Sequence, residues 1–137
     1  MRIFFDTSAL VKKYIDEPGA AVLEEAIKKA TGIVVSPIYI IEVVSFIQRK
    51  FLEGRIEKGN VNAIRKKAFE DYMNFENIVF SPDVQHKAIE LVGQYPLKSL
   101  DAIQLASGVI ARPDLFVTSD KQLFKYAKHE LKRVQLI

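Results

Sequence analysis

Arg2-Ile3-Phe4-Phe5-Asp6-Thr7-Ser8-Ala9-Leu10-Val11-Lys12-Lys13-Tyr14 passes from an apolar strand, Arg2 to Phe5, into a helical segment, Thr7 to Tyr14, with only Asp6 between them. Ala9, Leu10 and Tyr14 are the apolar positions of that helix. A short strand that feeds straight into a helix is the opening of a strand–helix–strand crossover, and crossovers join parallel strands.

Working outward from this segment, the same alternation recurs. Asp16-Glu17-Pro18-Gly19 reads as a turn. The stretch 20–30 has helical spacing, with Val22, Leu23, Ala26 and Ile27 on one face, and Gly32 ends it before the β-branched strand 33–35. Ser36-Pro37 carries a cap-and-proline helix start for a helix running to about Glu53, stopped by Gly54. A polar helix over 57–75 and a strand at Ile78-Val79-Phe80 follow. Ser81-Pro82 repeats the helix-start signal for a helix to about Tyr95, which Pro96 ends. The spacing then predicts a helix over 99–111, a strand at 115–117, a helix over 121–129 and a last strand over 134–137. Strands separated by helices predict an α/β domain with a mostly parallel sheet. No linker or repeat divides residues 1–137, so one domain is expected.

Composition narrows the function. Of 137 residues, 49% are hydrophobic and 27% charged, which suits a globular protein. No apolar stretch approaches the roughly 18 residues that span a membrane, and Asp6 arrives too early for a signal peptide. The absence of cysteine excludes disulfides and thiolate metal sites and fits a reducing, cytoplasmic setting. Net charge is +3; set aside four of the 17 acids and the 20 cations leave +7 on the rest. That balance permits a nucleic-acid partner, although surface lysines serve solubility equally well.

The four acids to set aside are Asp6, Glu42, Asp101 and Asp120, each beside an apolar run. An unpaired carboxylate in apolar surroundings is costly unless neutralised, paired or bound to a metal. Residues just past the C-terminal ends of parallel strands converge on one crevice. Asp6 follows the first strand and Asp120 the fourth; Glu42 and Asp101 lie near the starts of their helices. Capping explains Asp120, a helix-N-terminal preference explains Asp101, and a strand-to-helix cap explains Asp6. Glu42, interrupting Ile38–Ile41 and Val43-Val44, has no capping role and faces inward if Ile38, Ile41 and Ser45 do. Together the four form an all-oxygen set suited to Mg²⁺ or Mn²⁺ and to metal-assisted hydrolysis of a phosphodiester. Ser8 reads better as a hydroxyl orienting Asp6 than as a nucleophile. His86 and His129 read as solvated, and no glycine-rich phosphate loop is present.

Four segments, FFDTSALVKKY, PIYIIEVVS, SLDAIQLASG and FVTSDKQL, resemble in order and separation the four motifs of PIN-domain proteins, and are most similar to VapC-type toxins. The resemblance spans essentially the whole chain. It implies a compact three-layer α/β/α sandwich and a Mg²⁺- or Mn²⁺-dependent endoribonuclease with Asp6, Glu42, Asp101 and Asp120 as its acidic quartet. Asp6 and Asp101 would be the firmest metal ligands, with Thr118 and Ser8 as supporting polar groups. It also implies an RNA substrate, a cognate antitoxin and a homodimer, and no membrane partner is expected; the helix over 57–75 lies outside the motifs and is expected to help form the clamp or groove for antitoxin or RNA. Two other classes compete. A catalytically silent PIN-like binding module in an RNA-processing assembly has no reason to keep four repelling acids. An aspartate-based phosphatase would need an acid at position 8, where Ser8 stands, and a phosphoacceptor receiver would need an acidic pair at the first strand end.

Overall fold

The computed structural model describes residues 1–137. Five strands, β1 (Arg2–Phe5), β2 (Gly32–Val35), β3 (Glu76–Asn77), β4 (Leu115–Thr118) and β5 (Val134–Leu136), form one sheet in the order β3-β2-β1-β4-β5. Every pairing is parallel. Seven helices connect them: α1 (Thr7–Leu10), α2 (Ala20–Lys29), α3 (Tyr39–Leu52), α4 (Lys58–Asn74), α5 (Pro82–Gln94), α6 (Ser99–Ala111) and α7 (Lys121–Glu130). None is long and apolar enough to cross a membrane.

The strand period of two sorts the core into two layers. Ile3 and Phe5 of β1, Val35 of β2, and Leu115 and Val117 of β4 face Leu10, Leu23, Tyr39, Val43 and Ile47 from α1, α2 and α3. The alternate residues Phe4, Val34 and Phe116 face Val84, Leu91, Leu105, Ala106 and Leu123 from α5, α6 and α7. Both faces are thus covered, which is why the strands read as continuous apolar runs. The chain winds from β1 to β2 to β3, then crosses back to lay β4 on the other side of β1. The turning point of the topology therefore falls between β1 and β4, and the crevice beyond their C-terminal ends is where such folds bind ligands.

Several expected boundaries move. The first helix is one α-turn, α1, continued by a 3₁₀ turn at Val11–Lys13. On α2, Leu23 and Ala26 are buried but Val22 is 45% exposed. Ser36 does not cap α3: its hydroxyl is buried without a hydrogen-bond partner, and a turn at Pro37-Ile38 precedes the helix. The inward stripe of α3 is Tyr39, Val43 and Ile47, spaced by four residues, while Ile41 and Ser45 are exposed. Ser81 does cap α5, its Oγ accepting from Val84 N at 3.2 Å. The third strand is only Glu76–Asn77, two residues upstream of the apolar trio expected. Ile78 N still donates to Val35 O at 3.0 Å, but a tight turn, Ser81 N to Val79 O at 2.8 Å, lifts the chain off the edge toward α5. Val79 is left 75% exposed.

Candidate active site

Each acid reaches the crevice by a separate element. Asp6 is the residue where β1 becomes α1, its backbone N–H still bonded to Val117 O at 2.9 Å and its carbonyl opening the helix. Glu42 lies in the first turn of α3 and Asp101 in the first turn of α6. Asp120 sits between β4 and α7, where its Oδ1 accepts from the N–H groups of Gln122 and Leu123 at 2.8 and 3.0 Å. All four line one cleft of about 340 Å³.

A polar network fixes the first of them. Ser8 Oγ and Thr118 Oγ1 both donate to Asp6 Oδ2, the latter at 2.8 Å. Ser8 thus orients Asp6, and Thr118 reaches the same oxygen from the neighbouring strand. Ser119 N–H donates to Ser8 Oγ and Asp120 N–H to Thr118 Oγ1, both at 3.0 Å. The loop after β4 is thereby stapled to the end of β1.

A second network holds Glu42 and includes residues not singled out from the sequence. Thr7 Oγ1 donates to Glu42 Oε1 at 3.0 Å. Gln104 Nε2 donates to the same Oε1 at 2.5 Å and to Thr7 Oγ1 at 2.7 Å. Gln104 lies on α6 one turn after Asp101 and is almost fully buried. A buried amide inside an apolar helix was the available signal, since such a group must find partners. In Asp6, Glu42 and Asp120, one carboxylate oxygen is held by protein donors and the other takes none.

Burial and charge set the electrostatics. Asp6 is 5% exposed, and desolvation pushes its carboxyl up from the ordinary 3.8 to about 6. The two hydroxyl donors pull it down, while Glu42 and Asp101 push it further up. Asp101 is raised as well, first by burial and then by Asp120, with Lys98 opposing. A different buried acid, Asp71 on α4, went unnoticed in the sequence because its polar helix looks solvated. Its burial raises the carboxyl, but Lys13 at 2.6 Å, Lys67 at 3.0 Å and Tyr14 Oη at 2.9 Å outweigh that and hold it below the usual range. Asp71 lies outside the cleft and is neutralised; Asp6 lies inside it among other acids.

The cleft offers carboxylate and hydroxyl oxygens and no imidazole or thiolate, since His86 and His129 are both exposed elsewhere. No three carboxylates or histidines are gathered around a single point as a closed cage. An open wall of carboxylates fits Mg²⁺ or Mn²⁺, which are held by one or two carboxylates and keep several waters.

Comparison with curated protein sequences finds no match. The fold is shared with solved structures at low identity. A toxin–antitoxin complex from Klebsiella pneumoniae is 21% identical, with TM-score 0.68 and 89% of each chain covered. VapBC2 from Rickettsia felis, solved with a promoter DNA fragment, is 17% identical, with TM-score 0.72 over 100% of this chain and 99% of that one. VapBC-5 from Mycobacterium tuberculosis is 15% identical, with TM-score 0.61 over 100% and 98%. The family model for the PIN domain matches residues 3–129. With that match running over almost its whole length, the chain belongs to the PIN-domain family.

Proposed function

We propose that the chain is a Mg²⁺- or Mn²⁺-dependent endoribonuclease, the toxin of a toxin–antitoxin pair. The observation that carries this reading is the arrival of Asp6, Glu42, Asp101 and Asp120, from four elements, on one cleft at the turning point of the sheet. A bound divalent cation would supply Lewis acidity toward the phosphodiester and a more acidic water. The chain's own groups do the rest. Asp6 and Asp101 would hold the cation, and Ser8 and Thr118 leave one Asp6 oxygen without a protein donor. Glu42, pinned by Thr7 and Gln104, and Asp120, pinned by its helix, present their free oxygens to cation or attacking water. Either one hydrogen-bonded to that water orients it and receives its proton.

The neighbours described as toxin–antitoxin complexes support an antitoxin partner, and a homodimer in the cytoplasm accompanies that reading. Two observations favour a silent binding module instead: Asp120 already serves as a helix cap, and no ready-made cage gathers the acids. The deciding experiment incubates purified protein with a mixed structured RNA pool in Mg²⁺, in Mn²⁺ and in EDTA, beside Asp6→Asn. Metal-dependent cuts that Asp6→Asn lacks establish the nuclease. Intact RNA in every lane, including RNA from the source cell, establishes the module.

A further inference from the structure

The acidic cleft has a basic wall. Lys12 and Arg49 line it together with Phe46 and Glu17. Glu17, in the loop before α2, collects three cations: Arg55 at 3.4 Å, Lys50 at 3.6 Å and Lys12 at 3.9 Å. Lys50 also meets Glu53 at 3.3 Å, whereas Arg49 pairs with no acid. Three cations therefore meet two acids, an excess of one positive charge, and Arg49 adds another on the cleft lining. The two arginines are exposed, but the two lysine side chains are not freely solvated. Those of Lys12 and Lys50 are only 10% and 16% exposed, and Lys50 Nζ lies 5.3 Å from the centre of the Phe46 ring. Lysines this enclosed are ordinarily paired, and here Lys12, Lys50 and Arg55 share the one carboxylate of Glu17.

We infer that Lys12, Lys50 and Arg55 form a subsite for a backbone phosphate flanking the scissile one on a single-stranded RNA, with Glu17 holding the three cations in place until the phosphate arrives. This rests on the nuclease reading and extends it from the reacting phosphate to its neighbour. The acids need a cation between themselves and the substrate; the basic wall needs none, so it grips the strand directly. Glu17 lowers the local positive charge that the phosphate meets. Its removal strengthens the pull on RNA, while removal of a cation weakens it.

The test measures fluorescence anisotropy of a labelled single-stranded RNA dodecamer on the full chain carrying Asp6→Asn, over a salt series. Arg55→Gln and Lys50→Gln each weaken binding about fivefold and make the log–log salt slope shallower by about 0.7, the loss of one phosphate contact. Glu17→Gln tightens binding and steepens the slope. Lys66→Gln, 80% exposed on α4, is the surface control. In the Asp6 parent, the Arg55 and Lys50 losses fall on KM more than on kcat. Affinities and slopes for Arg55→Gln and Lys50→Gln that match Lys66→Gln overturn the subsite. So does weaker binding in Glu17→Gln with a lowered melting temperature, which makes the cluster a tether for the loop. A chain that binds through these cations but cuts no RNA keeps the subsite and overturns the nuclease; one that cuts while indifferent to them does the reverse.

Discussion

Asp6 and Asp71 are both buried acids, and the protein treats them oppositely. Asp71 is matched by two lysines and a tyrosine and ties α4 to the turn after α1. Asp6 receives only two hydroxyls and faces further acids, in keeping with the cation site proposed above. The sign of its effect on stability follows. An unfolded chain protonates Asp6 near 3.8, the folded one near 6, so the folded state binds the extra proton between those values and loses stability as pH rises through them. In EDTA, Asp6→Asn should therefore gain on the parent from pH 4 to 6 and level off above, by at most about 3 kcal/mol. Thermal melts across that range check it; a pH-independent difference would show that Asp6 is not desolvated. The same substitution should cut RNA cleavage about a hundredfold or more. Thr118→Val removes a donor that lowers the Asp6 carboxyl, so the acid limb of the cleavage–pH profile should move to higher pH. Cleavage at pH 6 would then fall more than cleavage at pH 8.

At the scale of the element, α6 bears the most. Its middle, residues 104–108, is buried all round; it carries Asp101 to the cleft and Gln104 to Glu42, and lies against the stacked Phe4 and Phe116 rings, 5.1 Å apart. Gly108 makes that approach possible, because a Cβ there would stand 2.5 Å from the Phe116 ring. Gly108→Ala should cost about 1–3 kcal/mol in denaturant melts, with cleavage per folded molecule little changed. Elements also show how far the sequence could be read. The bounds of α6 and the cap of α5 were legible because small-residue packing, Ser81 and Pro82 are local signals. The identical Ser-Pro signal at Ser36 misled, because the chain spends two residues turning before α3 begins. The third strand misled because β-branched residues at a sheet edge can face water once the chain leaves the ladder. At the site, the acids stood out beside apolar runs. Thr7, Gln104 and Asp71 did not, because each is defined by partners as many as 97 residues away.

For the molecule as a whole, charge is divided between an acidic pocket and a cationic exterior, and net charge alone, at +3, conceals the division. RNA binding should accordingly weaken steeply between 50 and 200 mM salt in a log–log plot, and a flat response in filter binding would refute the basic exterior's part. The strand order has a further bearing. β1 is made first yet sits at the centre of the sheet, and it is flanked by β4, more than a hundred residues later. Asp6 is made long before Thr118 and Asp120, which reach it only when β4 has docked beside β1. Parallel pairing over such a separation closes late in folding. On the proposed nuclease reading, the cutting edge is whole only once β4 has docked against β1.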